Sequence, residues 1–374
     1  MVLFQCGGLG IITFSVFFFH LMRISAPFKG REIIQTVFLH TPRKDFQVIL
    51  KSVLISTFAI ESFGTIILFI RFLRDFPVSQ AFYNSVYHAI SAFNNCGFSL
   101  FSDNLIGYQG DVIVNIIVMS LIVLGGIGFI VQYEIFSKIR NFRYRVSLHT
   151  KIVLITTGIL ILAGTLFFFF FEKDYIIRNM PWQSKILISF FQSVTPRTAG
   201  FNTIEIGRLT NDTILLLMIL MFIGASPGST GGGVKTTSIA ILFLLLWNRF
   251  KGREEVNIFN RTVPRELITR AVSIIFASAF SIVLITSLIL LVGQKTIPSE
   301  SRHLFVEYLF DTISAFGTVG LSMGITPLLN DLQKIILSIM MFAGRVGPLT
   351  LAFSLSLKST RVTIRYAEEN IMVG

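Results

Sequence analysis

Charge is scarce in this sequence. Asp, Glu, Lys and Arg together make up 14% of its 374 residues, against 53% hydrophobic residues, and the mean hydropathy is +0.73. That balance excludes a soluble globular enzyme, in which roughly a quarter of the residues carry charge. Cysteine is nearly missing. Cys6 and Cys96 stand in apolar or glycine-rich surroundings at no ligand spacing, so neither a disulfide framework nor a zinc site is predicted and both thiols are expected free. No cluster of His, Asp, Glu or Ser gathers near one membrane face, as a membrane enzyme would require, and no cofactor is expected. A cleavable signal peptide is not expected either, because the first apolar run is followed, not preceded, by its basic residues.

What the chain does contain is apolar runs long enough for membrane helices, which need roughly 20 residues each. They recur from end to end and leave no room for a sizeable soluble domain. The net charge of +12 does not point to nucleic acid, because the basic residues occupy the connectors between runs and not one face of a domain. Arg23, Lys29, Arg31, Arg43, Lys44 and Lys51 form one group, and Lys138, Arg140, Arg143, Arg145 and Lys151 a second. The connector from Asn248 to Arg270 forms a third, and Lys358, Arg361 and Arg365 a fourth. The positive-inside rule places all four, with the C-terminus, in the cytoplasm and the alternate connectors, such as the one from Glu172 to Trp182, outside. The expected fold class is an all-α polytopic membrane protein in the plasma membrane.

Three glycine-centred stretches resemble one another: SAFNNCGFS ending at Ser99, SVTPRTAGFN ending at Asn202 and SAFGTVGLS ending at Ser322. Each follows an apolar segment of about 10 residues, too short to span and suited to a re-entrant half-helix. A long helix precedes each (about 46–72, 152–171 and 271–292) and another follows (about 111–136, 212–247 and 332–357). The recurring unit is helix, half-helix, loop, helix, the mark of a pseudo-symmetric channel or transporter. The opening Gly7-Gly8-Leu9-Gly10 resembles Gly125-Gly126-Ile127-Gly128 and reads as the trailing helix of a further unit. The spacing from Gly97 to Gly125, applied backward from Gly7, falls before Met1, leaving a natural truncation and a start further upstream as alternatives. The expected organisation is 1–24 as the trailing helix of repeat 1, 25–45 a cytoplasmic connector, 46–140 repeat 2 and 141–250 repeat 3. After them come 251–268, a second connector, 269–360, repeat 4, and 361–374, a cytoplasmic tail. Gly7, Gly8, Gly125 and Gly126 read as helix-packing glycines.

Irregular backbone at membrane depth is tolerated only where protein or water surrounds it. Glycine reaches positive φ without a clash, which lets successive carbonyl oxygens face one side and replace the water shell of a dehydrated potassium ion. The half-helices aim their negative C-terminal ends at the cavity beneath. No Asp or Glu lies in the three loops, against a calcium or acidic-ring pore. The fourth glycine-rich stretch, GASPGSTGGGVKT from Gly224 to Thr236, interrupts a lipid-spanning run. Val234 stands where a P-loop needs glycine before its lysine, so nucleotide phosphate is not its ligand. Lys235 is costly at mid-membrane and is expected in a watery cavity or near the cytoplasmic end.

Taken together, NNCGFSLF, TPRTAGFNT, FGTVGLS, GASPGSTGGGVKT and FAGRVGPLT resemble the Trk/Ktr/HKT superfamily of potassium transporters, most closely the bacterial Ktr and Trk pore subunits. The resemblance implies four units around one pore, each loop forming one wall of a selectivity filter. Asn95, Cys96, Gly97 and Phe98 would form one wall, Thr198, Ala199, Gly200 and Phe201 the next, and Thr318, Val319, Gly320 and Leu321 the last, with the first wall lacking a counterpart. It also implies an intramembrane gate in Gly224, Ser226, Pro227, Gly228, Ser229, Thr230, Gly231, Gly232, Gly233 and Lys235. Arg345 is expected to pin that loop through its carbonyls and hydroxyls. Potassium is the implied transported ion, with sodium open as a coupling ion. The implied partners are a second copy of the chain, membrane lipid and a cytosolic ring of nucleotide-binding, RCK-type regulators. His88 and His303 are open between proton coupling and packing, and Arg197 between tuning cation access and an external charge held by loop carbonyls. Glu61 awaits a basic partner. Asp103, Asp111 and Asp212 are expected to cap helices or face the outer vestibule.

Overall fold

The computed structural model describes residues 1–8, 46–293 and 302–347. The connector 25–45, the basic residues Lys358, Arg361 and Arg365 and the tail 361–374 lie outside the described residues. After a short helix α1 (Val2–Gly8), the chain repeats one plan. A long helix α2 (Phe46–Phe72) leads to a shorter α3 (Val78–Phe93), a glycine loop, and α4 (Val112–Gly126) with α5 (Phe129–Arg140). The plan recurs in α6 (Leu148–Glu172), α7 (Trp182–Val194), loop, α8 (Asn211–Phe222) and α9 (Thr236–Phe250). It recurs again in α10 (Arg265–Val292), α11 (Arg302–Gly317), loop and α12 (Asp331–Val346). The sheet among the described residues is a two-stranded hairpin, β1 (Asn257–Ile258) with β2 (Arg261–Thr262), between α9 and α10.

Among the described residues three helices are long and apolar enough to cross a membrane, within 51–72, 148–172 and 265–292. At 1.5 Å per residue, 25 residues cover about 38 Å, more than the ~30 Å hydrocarbon core. Their outer faces expose Phe58, Phe63, Ile159, Leu162, Phe276 and Phe280, as lipid contact requires. The middle helices α3, α7 and α11 have 16, 13 and 16 residues. They are longer than the sequence suggests and still too short to cross. Pro77 and Pro181 stand immediately before α3 and α7 with φ of −58°, a value the pyrrolidine ring fixes in advance. Side-chain oxygens start α4, α6, α8 and α12. Asp111 accepts from Val114 N, Ser147 from Thr150 N and Thr210 from Thr213 N, while Asn330 and Gln333 form a reciprocal capping box. Asp111 also pairs with Arg71, which bridges to Asp75 at 2.8 Å and so ties the ends of α2 and α4 together. Tyr108 donates to Asp75 at 3.0 Å, and burial, reinforced by that carboxylate, pushes its phenol above the ordinary tyrosine range.

The run expected as one helix over 111–136 is broken. α4 and α5 meet at a bend of 106°, where Gly128 takes φ 95°. Left-handed backbone cannot continue a right-handed helix, so the last carbonyls of α4 lose their partners. Gln132 Nε2 donates to Leu124 O at 2.7 Å, and a neighbouring loop takes Gly125 O and Gly126 O.

Glycines also let the trailing helices lie against the half-helices. A Cβ on Gly125 would stand 1.8 Å from Phe93 O, and one on Gly344 would stand 1.8 Å from Phe316 O. The units α2–α5 and α10–α12 therefore make the same contact, trailing helix against the last carbonyls of the half-helix.

Candidate functional site

The three glycine loops share one backbone conformation. Asn95, Thr198 and Thr318 have φ of 52°, 75° and 53°, and Gly97, Gly200 and Gly320 have φ of 70°, 82° and 92°. Between them Cys96, Ala199 and Val319 stay outside the left-handed region. Alternation of this kind turns successive carbonyls to the same side. The amides point away from that side, back into the half-helices. Cys96 N donates to Ser91 O at 2.9 Å, Ala199 N to Thr195 O at 3.0 Å and Val319 N to Ser314 O at 2.8 Å. Among the described residues no hydrogen bond uses the carbonyl oxygens of Asn95, Cys96, Thr198, Ala199, Gly200, Thr318, Val319 or Gly320. A left-handed non-glycine residue costs about 1–3 kcal/mol, and threonine, being β-branched, is a poor occupant of that region. Three such residues at corresponding places mark a conformation that the surroundings impose.

The loops meet around one cavity of about 210 Å³, bounded by Cys96, Gly97 and Phe98, by Gly200 and Asn202, and by Gly320, Leu321 and Ser322. They also interlock. A Cβ on Gly97 would lie 2.4 Å from Ala199 O, and one on Gly200 would lie 2.1 Å from Val319 O, whereas one on Gly320 meets nothing within 4 Å among the described residues. Phe201 and Leu321 are buried in the core. Phe98 is exposed and stacks on Phe4 of α1 with centroids 5.1 Å apart.

Beneath the loops lies the segment between α8 and α9. Its neck is closed by Val234 N donating to Phe222 O at 3.3 Å and Ala225 N to Gly232 O at 3.2 Å. Three consecutive residues face the inner ends of the three glycine loops. Thr230 Oγ1 accepts from Asn95 Nδ2 at 3.0 Å, a Cβ on Gly231 would lie 2.1 Å from Thr198 Oγ1, and one on Gly232 would lie 2.5 Å from Thr318 Oγ1. Glycine is thus required here by close approach as well as by its aversion to helix. The buried Asn95 Oδ1 and Thr198 Oγ1 at this junction have no hydrogen-bond partner among the described residues, which leaves oxygen available there.

Two elements hold the segment. Arg345 on α12 donates to Thr230 O with Nη1 and to the carbonyls of Gly7 and Gly8 with Nη2. On the other side the α4–α5 break clasps it: Ser226 N donates to Gly126 O at 3.0 Å, Thr230 N to Gly125 O at 3.2 Å and Phe129 N to Gly228 O at 2.8 Å. Lys235 Nζ donates to Gly231 O at 2.8 Å, and the Ser226 and Thr236 hydroxyls lie 2.9 Å apart. Among the described residues Ser229 Oγ bonds within the segment, donating to Ser226 O at 2.6 Å and accepting from Gly231 N at 3.3 Å. Gly224 and Gly233 pack on each other at the neck, and Gly228 takes φ 65°. Gly125 and Gly126 are therefore more than packing glycines. A Cβ on Gly128 would stand 2.6 Å from Pro227 O, so Gly128→Ala is expected to push the segment off the break. Losing one net hydrogen bond corresponds to about tenfold faster amide exchange across 224–233, measurable by hydrogen–deuterium exchange.

Other sequence expectations meet different surroundings. Among the described residues Glu61 has amide partners and no basic one: it accepts from Gln5 Nε2 at 2.9 Å and Asn94 Nδ2 at 3.0 Å. Arg197 is buried, not external, with Nη2 3.4 Å from Thr157 Oγ1 on α6. His88 is packed, stacking on Phe101 with centroids 4.6 Å apart, whereas His303 is exposed at the start of α11. Among the described residues no three His, Cys, Asp or Glu side chains gather to hold a metal ion. The sequence reading missed Gly128, which packs on the central segment, and Gln132, which caps Leu124 O at the α4–α5 break.

Comparison with known proteins is consistent along the chain. Residues 1–363 match the family described as TrkH, cation transport protein. The chain is 35% identical over 379 residues to the Ktr system potassium uptake protein B of Bacillus subtilis (strain 168), an alignment covering 100% of this chain and 82% of that protein. It is 34% identical over 378 residues to the potassium/sodium uptake protein NtpJ of Enterococcus hirae, again covering 100% and 82%. The crystal structure of the potassium transporter TrkH from Vibrio parahaemolyticus superposes with a TM-score of 0.66 over 93% of this chain and 69% of that one, at 20% identity, a likeness of fold. The all-helical membrane architecture, the repeated glycine loops and the sequence match agree: this chain belongs to the TrkH family of cation transport proteins.

Proposed function

We propose that this chain is the pore-forming subunit of a potassium uptake system in the plasma membrane, its three glycine loops serving as filter walls and the 224–236 segment as an intramembrane gate. One observation carries the reading. Three loops of different sequence adopt the same alternation of φ and meet around a common cavity, and among the described residues no hydrogen bond uses the carbonyls of Asn95, Cys96, Thr198, Ala199, Gly200, Thr318, Val319 or Gly320, whereas Gly97 O accepts from Asn104 Nδ2 at 3.3 Å. An oxygen-lined, uncharged site of this kind suits a large monovalent cation shedding its water. The C-terminal ends of α3, α7 and α11 add their negative dipole ends beside it. The basic connectors then lie in the cytoplasm, and one positive charge gains about 2.3 kcal/mol per 100 mV on moving inward. Sodium stands beside potassium in the name of one relative, so both ions belong in the assay. The repeat boundaries given above, a homodimer and a cytosolic regulatory ring complete the proposed assembly. The relatives being transporters by name, no catalytic role is assigned.

A second reading is favoured by Gly320, beside which a Cβ would meet nothing within 4 Å among the described residues, unlike its two counterparts. On that reading these three walls conduct only when another segment closes the ring. Potassium-limited growth of an uptake-deficient host, with this frame alone and with the frame extended upstream, separates the two. Uptake by purified protein in liposomes under an imposed potential tests the function itself. Potassium flux through neither version would remove the proposal.

A further inference from the structure

The three walls share a support that the sequence hides, because a different residue provides it each time. His88 Nε2 lies 2.9 Å from Ser99 Oγ, Gln192 Nε2 donates to Thr203 Oγ1 at 3.4 Å, and Ser322 Oγ donates to Asp311 Oδ2 at 3.2 Å. In every case the half-helix residue and the hydroxyl are 11 positions apart, and the hydroxyl stands just beyond the loop glycine. His88 and Gln192 are fully buried, and Asp311 is 6% exposed. His88 Nδ1 faces Asn84 O at 2.7 Å, a carbonyl that can only accept. Nδ1 therefore carries the proton, and Nε2 accepts from the Ser99 hydroxyl. Asp311 Oδ2 also accepts from Thr326 Oγ1 at 2.6 Å, and Ser322 Oγ in turn accepts from Gly324 N at 3.0 Å.

Resting on the filter reading, we infer that His88, Gln192 and Asp311 are positioning residues that fix the outer end of each wall and thereby set ion discrimination. The inner parts of the walls are already tied by Ser91, Thr195 and Ser314. Beyond the glycine, Ser91 Oγ also donates to Phe98 O at 2.8 Å and Thr195 Oγ1 to Phe201 O. A loop strained at a left-handed residue and loosely held at its outer end would relax, and carbonyl spacing would follow the ion instead of selecting it. The side-chain anchor, 11 positions from its hydroxyl, adds a further tie there and restricts that freedom. The fourth-unit anchor adds charge. Asp311 is a buried carboxylate one hydrogen bond behind Ser322, which lines the cavity, so it attracts cations to the mouth without touching them.

The test uses the full chain in liposomes, extended upstream if the frame requires it, and reads potassium and sodium flux separately. His88→Ala, Gln192→Ala and Asp311→Ala are each expected to lower the potassium-to-sodium flux ratio by about three- to tenfold, the range set by the net worth of one buried hydrogen bond. Asp311→Asn keeps an acceptor oxygen toward Ser322 and is expected to retain the ratio while needing more potassium for half-maximal uptake. Where an alanine variant fails to fold, Ser99→Ala, Thr203→Val and Ser322→Ala remove the same bonds from the loop side without opening a cavity in the half-helix, and should lower the ratio alike. Folded variants on both sides that keep the wild-type ratio overturn the inference. A wild-type protein that passes neither ion strikes instead at the filter reading.

Discussion

Gly200→Ala is expected to abolish potassium uptake while leaving a folded protein in the membrane. Two effects act in the same direction. The position has φ of 82°, which costs an L-residue about 1–2 kcal/mol. The larger effect is steric, since the added Cβ would lie 2.1 Å from Val319 O, a backbone atom that cannot swing aside as the end of a side chain could. Relief requires one wall to withdraw, which displaces carbonyls proposed to take the place of water around the ion. Rubidium or potassium uptake should fall to the background of empty liposomes. Gly320→Ala bears only the conformational cost among the described residues, because nothing lies within 4 Å. Gly158→Ala on α6, also with nothing within 4 Å, serves as the silent control. Full uptake by the Gly200 variant would mean that the loops do not form the ion path.

Arg345→Ala is expected to make the pore leak. The guanidinium joins Thr230 O of the central segment to the carbonyls of Gly7 and Gly8, and alanine removes all of these bonds at once. Hydrogen bonds from a charged donor contribute about 1.5–3 kcal/mol, and 1.4 kcal/mol is a factor of ten. The closed arrangement should therefore lose roughly ten- to a hundredfold in population relative to open ones. Removing a cation just below the walls lowers the barrier to potassium further, in the same direction. Arg345→Lys keeps the charge but not the planar fork that reaches two elements, so its leak should fall between wild type and alanine. Unregulated potassium efflux from loaded liposomes is the measurement. An efflux rate that does not rise would exclude Arg345 as a latch.

The spanning helices were legible from uninterrupted apolar runs, and the half-helices from runs too short to cross beside recurring glycines. Composition alone carried the membrane assignment. The α4–α5 break was not legible, because Gly125-Gly126-Ile127-Gly128 reads equally well as a smooth packing face. What decides is Gly128 at φ 95° and a distant loop whose amides donate to the freed carbonyls. Glu61 could not be paired from the sequence, since its partners come from α1 and from Asn94 at the end of α3, 56 and 33 positions away. Arg197 misled because its neighbours in sequence are loop residues, whereas its side chain turns back to Thr157 on α6. The supports of the loops were present in the sequence as a spacing. They escaped notice because His88, Gln192 and Asp311 share a geometric task and no side-chain chemistry.

Gly97 leans on the second loop and Gly200 leans on the third, always in the same rotational sense. Parts overlapped in this way behave like the blades of a camera iris: none can retract without freeing or dragging its neighbour. Aperture then belongs to the set and not to any single blade, so paired substitutions at Gly97 and Gly200 should depart from additivity.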